Sequence, residues 1–559
     1  MAKILRPTQN AIDLLQKSLI VNRKRERAGC VMLSQACALP LAVSLNVFIS
    51  TYARGLIHKF DFALQNAGHL LYELFVNDQR VESIERDFEI NDIVLSHLSS
   101  RPLNALETDL RDVSLQLHFA DRMALRHSSQ RRSSSGLCHA RHIQVRIGVR
   151  CVEQWNREVV KKYLVDYLQF NTGDKWDLEF VDHGFTPLNL EQPRLTDLEM
   201  QSIVQRRSPH LIIALFSGGL DSLAGLRWHL LHDVDAHFLL VSVNSSSTLL
   251  KQQSDLIKQL PANARKRVRH VPIALRLHQG EQNPKSDRER RHALTLRTRG
   301  LLFLSAGTLV SRLAAQQRFF VYENGLGAFN LSFNRAQLSG QANRAVNPRS
   351  LALFERFTTE LFREKRSIEN PFQFFTKAQV CKQLDHLDWV GLVSKTVTCG
   401  HLQRVPEQKP GEGMWHCGFC YSCWLRRQGL RAAGMSGEDT QFYYRDLARP
   451  ESFKGKDFEK LNEWLDIQEQ FRKLHRVLDI ANDELAWREL TRISPELIST
   501  HKDMAAAQMS SEIEMRREVL KLYRTYVAEG SRLSQTSLRA LPQLKVQNDA
   551  SEMQAELFA

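Results

Sequence analysis

The chain has little cysteine. Nine in 559 residues are too few for a disulfide scaffold. Long apolar runs are also missing. The most apolar stretch, residues 38–49, is interrupted by Pro40, Ser44 and Asn46 and falls short of the roughly 18 to 20 residues a membrane span needs. The basic run Arg23 to Arg27 before it has the character of an export-signal n-region. It starts far from Met1 and no small-residue cleavage site follows, so a buried element is expected, with no membrane. No repeat of 20 to 50 residues is visible. G-x-x-x-x-G-K-[ST], H-E-x-x-H and G-x-S-x-G are all absent, which excludes the chemistry each would carry. Acids are outnumbered, 62 to 76, for a formal charge of +14. That permits an anionic partner without requiring one. What remains is ordinary globular composition, 43% hydrophobic and 25% charged, at a length suited to two to four domains.

Residues 1 to about 100 are expected to be mostly helical, from spacings such as Phe62-Ala63-Leu64 and Leu70-Leu71. Val113, Leu115, Leu117 and Phe119 alternate with polar residues as in a half-buried strand, and so do Ile143 to Val149 and Trp176 to Phe180. A polar loop, residues 127–136, lies between the first two. Trp155 to Leu168 carries one apolar helical face. An N-terminal α+β domain over 1–195 follows, ending in a proline-containing linker. Beyond it, short apolar runs at 211–216, 237–243, 268–275 and 318–323 alternate with helical patterns. That is the grammar of an α/β fold with a parallel sheet, over 205–432. A helical extension (433–530) and a loose tail (531–559) complete the expected layout.

The sharpest motif is Ser217-Gly218-Gly219-Leu220-Asp221-Ser222, directly after the apolar strand ending at Phe216. Two glycines let backbone N–H groups approach phosphate oxygens, and the following helix start favours an anion. Ser217 and Ser222 add hydroxyl donors. Asp221 is suited to a Mg²⁺ ion that bridges phosphates. Lacking a lysine, the loop suits a departing pyrophosphate better than γ-phosphoryl transfer.

The cysteines cluster as Cys417-x-x-Cys420-x-x-Cys423, with Cys399 upstream. Four thiolates at such spacing can surround one Zn²⁺, in a closed structural site of a protein from a reducing cytoplasm. An iron–sulfur cluster is the competing reading. Cys30, Cys37, Cys138, Cys151 and Cys381 have no such spacing and are expected to be small core side chains.

The loop resembles that of the PP-loop ATP pyrophosphatases (adenine nucleotide alpha hydrolase-like fold), whose signature is S-G-G-x-D-S. The resemblance implies cleavage of ATP to AMP and pyrophosphate. It also implies an adenine pocket around Phe216 and Val243-Asn244. Loop and cysteines together resemble the QueC branch, the 7-cyano-7-deazaguanine synthases. The shared features are Thr396-Val397-Thr398-Cys399, Cys417 to Arg426, the arginine-rich start Arg297-Thr298-Arg299, and Pro371 to Lys377. That family joins 7-carboxy-7-deazaguanine to ammonia, forming an amide and then a nitrile with ATP. Three departures stand out: a long loop between Cys399 and Cys417, Glu323 to Asn330 in place of the usual tyrosine- and proline-containing segment, and extensions at both ends. The layout is more like the long QueC-like proteins of bacterial antiviral defence operons, such as the Qat system. There the implied acceptor is a protein amine, with the N-terminal domain as docking surface.

Arg297 and Arg299 are candidates to neutralise a carboxylate or α-phosphate, against a plain basic helix face. Glu323 and Asn324, at the end of a strand, are candidates to read a purine edge, against an Asn-Gly turn. The run Arg265 to Arg269 is read as an exposed charged helix end rather than an RNA contact. The expected activity is a cytoplasmic ATP-dependent ligase acting on a deazapurine acid. Its rivals are a tRNA-modifying enzyme of the same loop class and a non-catalytic nucleotide-binding adaptor.

Overall fold

The structure is a computed structural model. It describes residues 56–124, 140–182, 210–277, 297–331, 344–443 and 458–537, with shorter omissions inside these ranges. The apolar stretch 38–49, the loop 127–136 and the linker after residue 185 lie outside the described residues. Among the described residues, no helix is long and apolar enough to cross a membrane.

Ten strands make one sheet. They are β1 (Leu56–Phe62), β2 (His69–Val76), β3 (Gln79–Asn91), β4 (His142–Val149), β5 (Lys175–Asp182), β6 (Leu211–Leu215), β7 (His237–Asn244), β8 (Val268–Leu277), β9 (Arg318–Phe320) and β10 (Ser367–Glu369). Their order is β10-β9-β6-β7-β8-β3-β2-β1-β4-β5. From β10 to β8 all pairs are parallel. Pairing of Phe88–Asn91 in β3 with Ala274–Leu277 in β8 is antiparallel and welds the N-terminal module to the parallel half.

Two expectations about the N-terminal part are corrected. Residues 56–91 are three strands, not helices. Phe60 and Phe62 are both 2% exposed, which suits the two-residue period of a strand. A helix would turn them about 200° apart. Conversely, Val113 to Phe119 belongs to the helix Ala105–Met123. The alternation misleads because this helix is buried nearly all round: Gln116 and His118 are as enclosed as Leu115 and Leu117. Its start was marked in the sequence by Asn104 and Glu107, which form a reciprocal capping box.

The helix is anchored by a charge network. Arg141 lies between Asp121 and Asp174, 2.5 Å from each and all three buried. Asp121 Oδ2 also accepts from the backbone N–H groups of Arg297 and Thr298 and from the Thr298 hydroxyl. The aspartate of one module thus pins the two residues that lead into the helix Arg299–Leu313 of the other.

Apolar side chains divide between the two faces of the parallel half. Ile213, Leu239, Val241 and Ile273 pack on the side of Arg299–Leu313 and the N-terminal module. Ala214, Phe216, Leu240 and Phe238 pack on the side of the helix Leu220–His232. The chain runs outward from β6 through β7 to β8, then returns to the far side of β6 as β9. That reversal opens a crevice beyond the carboxyl ends of β6 and β9, where open α/β sheets bind ligands.

The helices Phe458–Leu478, Asp483–Ile493, Leu497–Gln508 and Glu512–Ser537 form the C-terminal part. The last runs past residue 530, where a loose tail was expected, and residues 538–559 lie outside the described ones.

Candidate functional site

β6 hands directly into the Ser217–Ser222 loop. Phe216 N–H donates to Val241 O at 2.8 Å, and Ser242 Oγ donates to Phe216 O at 2.6 Å. The chain then turns at Gly218, whose φ of +75° is left-handed. A Cβ there would also stand 2.9 Å from Gln253 Cγ. Gln253 uses that closeness to donate its amide to Ser217 O at 2.9 Å. Gly219 caps the helix Leu220–His232, and Ser222 Oγ bonds back to Gly219 O at 2.9 Å. Ser217 is exposed at the crevice, while Phe216 and Leu220 point into the core.

Asp221, 8% exposed, is the hub of the second wall. Its Oδ1 lies 2.8 Å from Lys377 Nζ. Its Oδ2 accepts from Asn324 Nδ2 at 3.0 Å. The same amide donates to Glu323 Oε1 at 2.7 Å. Asn324 Oδ1 accepts from Gly327 N–H and so caps the helix Gly325–Phe329. Both ends of the Asn324 amide are therefore engaged by protein, and its Nδ2 bridges two carboxyls.

Burial pushes the Asp221 pKa up, but the Lys377 ammonium overrides it and holds the carboxylate below its ordinary value. Burial likewise opposes the charge on Lys377, and Asp221 outweighs it, raising the pKa. Glu323 goes the other way: burial first and the Asp221 charge second lift it well above 4.5. The cluster is thus one carboxylate, one ammonium and one neutral acid hydrogen-bonded to the carboxylate.

The third wall is the segment Thr396 to Cys399. Val397 N–H donates to Gly218 O at 3.1 Å. Arg426, with no exposed surface, braces this segment. Its Nη1 reaches Thr396 Oγ1 at 2.7 Å and Thr398 Oγ1 at 3.1 Å, and its Nη2 reaches Val393 O at 2.8 Å. Its Nε pairs with Asp439 at 3.0 Å.

Arg426 lies on the helix Tyr421–Ala432, which begins at Cys420. The four cysteines are free thiols with sulfurs all within 4.8 Å of one another. Cys399–Cys420, Cys417–Cys423 and Cys420–Cys423 are separated by 3.9, 3.8 and 3.5 Å. Tetrahedral bonds of ~2.3 Å to one ion would set sulfurs about 3.8 Å apart. N–H groups of Cys417 and Cys420 donate to Cys399 and Cys417 sulfurs, and Gly418 takes the left-handed turn expected of it. The set fits a single metal ion, and nothing in it leaves a coordination position for substrate.

Residues 348–434 match a family described as queuosine biosynthesis protein QueC. No curated protein matches the chain. The matched stretch contains Lys377, the four cysteines and Arg426, and begins well after the glycine loop at 217–222. It supports a QueC-like member of the PP-loop superfamily, an ATP-using enzyme type.

The remaining expected site residues lie elsewhere. Arg297 is 4% exposed; its backbone is held by Asp121 and its Nη1 approaches Thr172 O at 3.3 Å. Arg299 is exposed, with its guanidinium over the Phe303 ring. Asn244 ends β7 opposite Ala274. Beside it, Val243 lines a small cleft with Leu275, Leu302 and Ser305, and the buried Ser305 hydroxyl has no partner among the described residues. The residues that sequence reading left out of the site are Gln253, which carries no motif, and Lys377 and Arg426, which stand in quoted segments whose contacts only the fold reveals.

Proposed function

We propose that the chain activates the carboxylate of a 7-deazapurine acid with ATP and passes the acyl group to an amine. The observation that carries this reading is the loop itself: an exposed Ser217 and a left-handed glycine at a strand-to-helix turn. It sits at the sheet's reversal point, beside a buried Asp–Lys pair.

In this reading a carboxylate oxygen attacks the α-phosphorus. The bond from that phosphorus to the bridging oxygen breaks, and pyrophosphate leaves with the electron pair. Backbone amides of 217–222 hold the leaving group, and Lys377, released in part from Asp221, meets its charge. An amine nitrogen then attacks the acyl carbon, AMP departs, and the amine gives up a proton. No protein nucleophile is needed, because positioning and charge stabilisation carry both steps. Asp221 accepts from Lys377, Asn324 and Glu323, which leaves one lone pair for a magnesium ion that would spread charge over the phosphates when bound. The four thiolates are assigned to zinc, as a brace rather than a reagent.

The amine is taken to be that of a protein, docked on the N-terminal module, in antiviral defence. The extra modules at both ends of the nucleotide fold support this, since transfer to ammonia needs neither. The test is mass spectrometry of products after incubation with ATP, 7-carboxy-7-deazaguanine and either ammonium or candidate proteins. AMP, pyrophosphate and a deazaguanine amide are expected, with all three lost in Asp221→Ala. Turnover that survives this substitution, or no acid-dependent AMP from the wild type, refutes the reading.

A further inference from the structure

The helix Glu512–Ser537 belongs to the extension that follows the nucleotide fold, yet one face of it reaches both arms that grip Asp221. On the lysine arm, Thr376 caps the short helix Lys377–Lys382. Its Oγ1 accepts from Gln379 N–H at 3.3 Å, and Gln379 Oε1 accepts from Thr376 N–H at 2.8 Å. A hydroxyl has one proton to give. Here it goes to Glu529 Oε1, at 2.7 Å. Glu529 therefore orients the Thr376 rotor so that its lone pair faces Gln379, which closes the cap one residue before Lys377.

On the asparagine arm, Gly325 follows Asn324 directly. A Cβ on Gly325 would stand 2.5 Å from Leu522 Cδ2 and 2.5 Å from Gln373 O. Leu522 thus packs against the backbone that carries Asn324, and Gly325 N–H is tied to Phe375 O at 2.8 Å. Between the two arms, Trp424 Nε1 donates to Tyr526 OH at 3.4 Å. Leu522, Tyr526 and Glu529 are spaced by four and three residues, so they share one helix face.

We propose that this face positions the nucleotide site, with Glu529 as a positioning residue that sets the Lys377 ammonium against Asp221 through Thr376. The inference rests on the ATP-dependent reading for its kinetic consequence, though not for its geometry. Glu529 touches no reacting atom in this scheme. The extension is then part of the machinery for phosphate charge, and whatever binds it can reach Lys377.

The experiment compares full-length wild type, Glu529→Ala, Glu529→Gln, Thr376→Val and Thr376→Ser. Two readouts are taken at a temperature where melting curves show every protein folded. The first is pyrophosphate release with separate KM values for ATP and for the acid. The second is acetylation of Lys377 by acetic anhydride, followed by mass spectrometry. Loss of a hydrogen bond to a charged group is expected to lower kcat/KM for ATP about tenfold in Glu529→Ala. KM for the acid should hold, and Lys377 acetylation should rise. Thr376→Val should behave alike, Thr376→Ser should restore what it loses, and Glu529→Gln, which keeps an acceptor, should fall between. Wild-type labelling and kinetics in Glu529→Ala overturn the proposal. So does a loss shared equally by both substrates, which marks a merely structural contact. If the wild type splits no ATP, the functional reading fails on its own, and the pattern of Lys377 labelling still decides this one.

Discussion

Glu323→Gln removes a titration while keeping a shape. A glutamine can still accept from Asn324 through its oxygen and donate to Asp221 through its amide. The wild-type folded pKa lies well above 4.5 because the carboxyl is buried beside Asp221. Between 4.5 and that folded value, the native chain holds a proton that the unfolded chain has released. Unfolding therefore gains stability as pH rises, and the native state loses about 1.4 kcal/mol per pH unit for this one group. The Glu323 contribution is complete below 4.5 and lost as pH climbs through the folded pKa. Glu355, pushed up to about 7 mainly by burial, slopes the same way, but it is common to both proteins and cancels in the difference. Asp221, held below its ordinary 3.8, loses its contribution only toward acid, outside the window. Urea denaturation between about pH 5 and about pH 9 should show the variant gaining on wild type by about 1.4 kcal/mol per unit, until the folded pKa is passed. A difference that stays flat across this range refutes the neutral acid at Glu323 and, with it, the charge assignment of the cluster.

Two further substitutions probe the walls of the crevice. Gly218→Ala forces a side chain into a left-handed backbone at φ +75° and against Gln253, so a loss of about 1 to 2 kcal/mol is expected from the backbone. ATP binding by calorimetry should fall with it, and wild-type affinity would rule out the loop as the phosphate cradle. Arg426→Ala removes the ion pair to Asp439 and the donors to two threonine hydroxyls. Chemical denaturation should report about 3 to 5 kcal/mol of lost stability together with weaker ATP binding. Metal content by plasma mass spectrometry should stay unchanged, and loss of the metal with intact ATP binding would sever the proposed link between cysteines and loop.

The parallel half was legible because β6 and the centres of β7 and β8 are apolar and are separated by helical patterns. A central strand has no polar face to confuse the pattern. Glycines after a strand, and cysteines two residues apart, are local signals; the structure puts the first at a strand-to-helix turn and brings the second together. Asp221, Asn324 and Lys377 meet across separations of 103 and 156 residues, and no local pattern records such a meeting. The N-terminal module misled for a different reason. His118 and Asp121 are buried in polar contacts, and Gln116 is buried with no partner for its amide among the described residues, so polarity no longer reports exposure along that helix. Arg297 meets Asp121 through its backbone N–H across 176 residues, a contact that its place in the motif does not record.

The ladder between β3 and β8 has a consequence for how the molecule can be divided and how it can move. An isolated nucleotide fold would present the Ala274–Leu277 end of β8 as a bare edge, ready to recruit a strand from another chain. Expression of that fragment alone should give aggregates. Swinging the N-terminal module as a lid would break the same four-residue pairing. Access to the crevice is therefore not expected to come from a swing of that module.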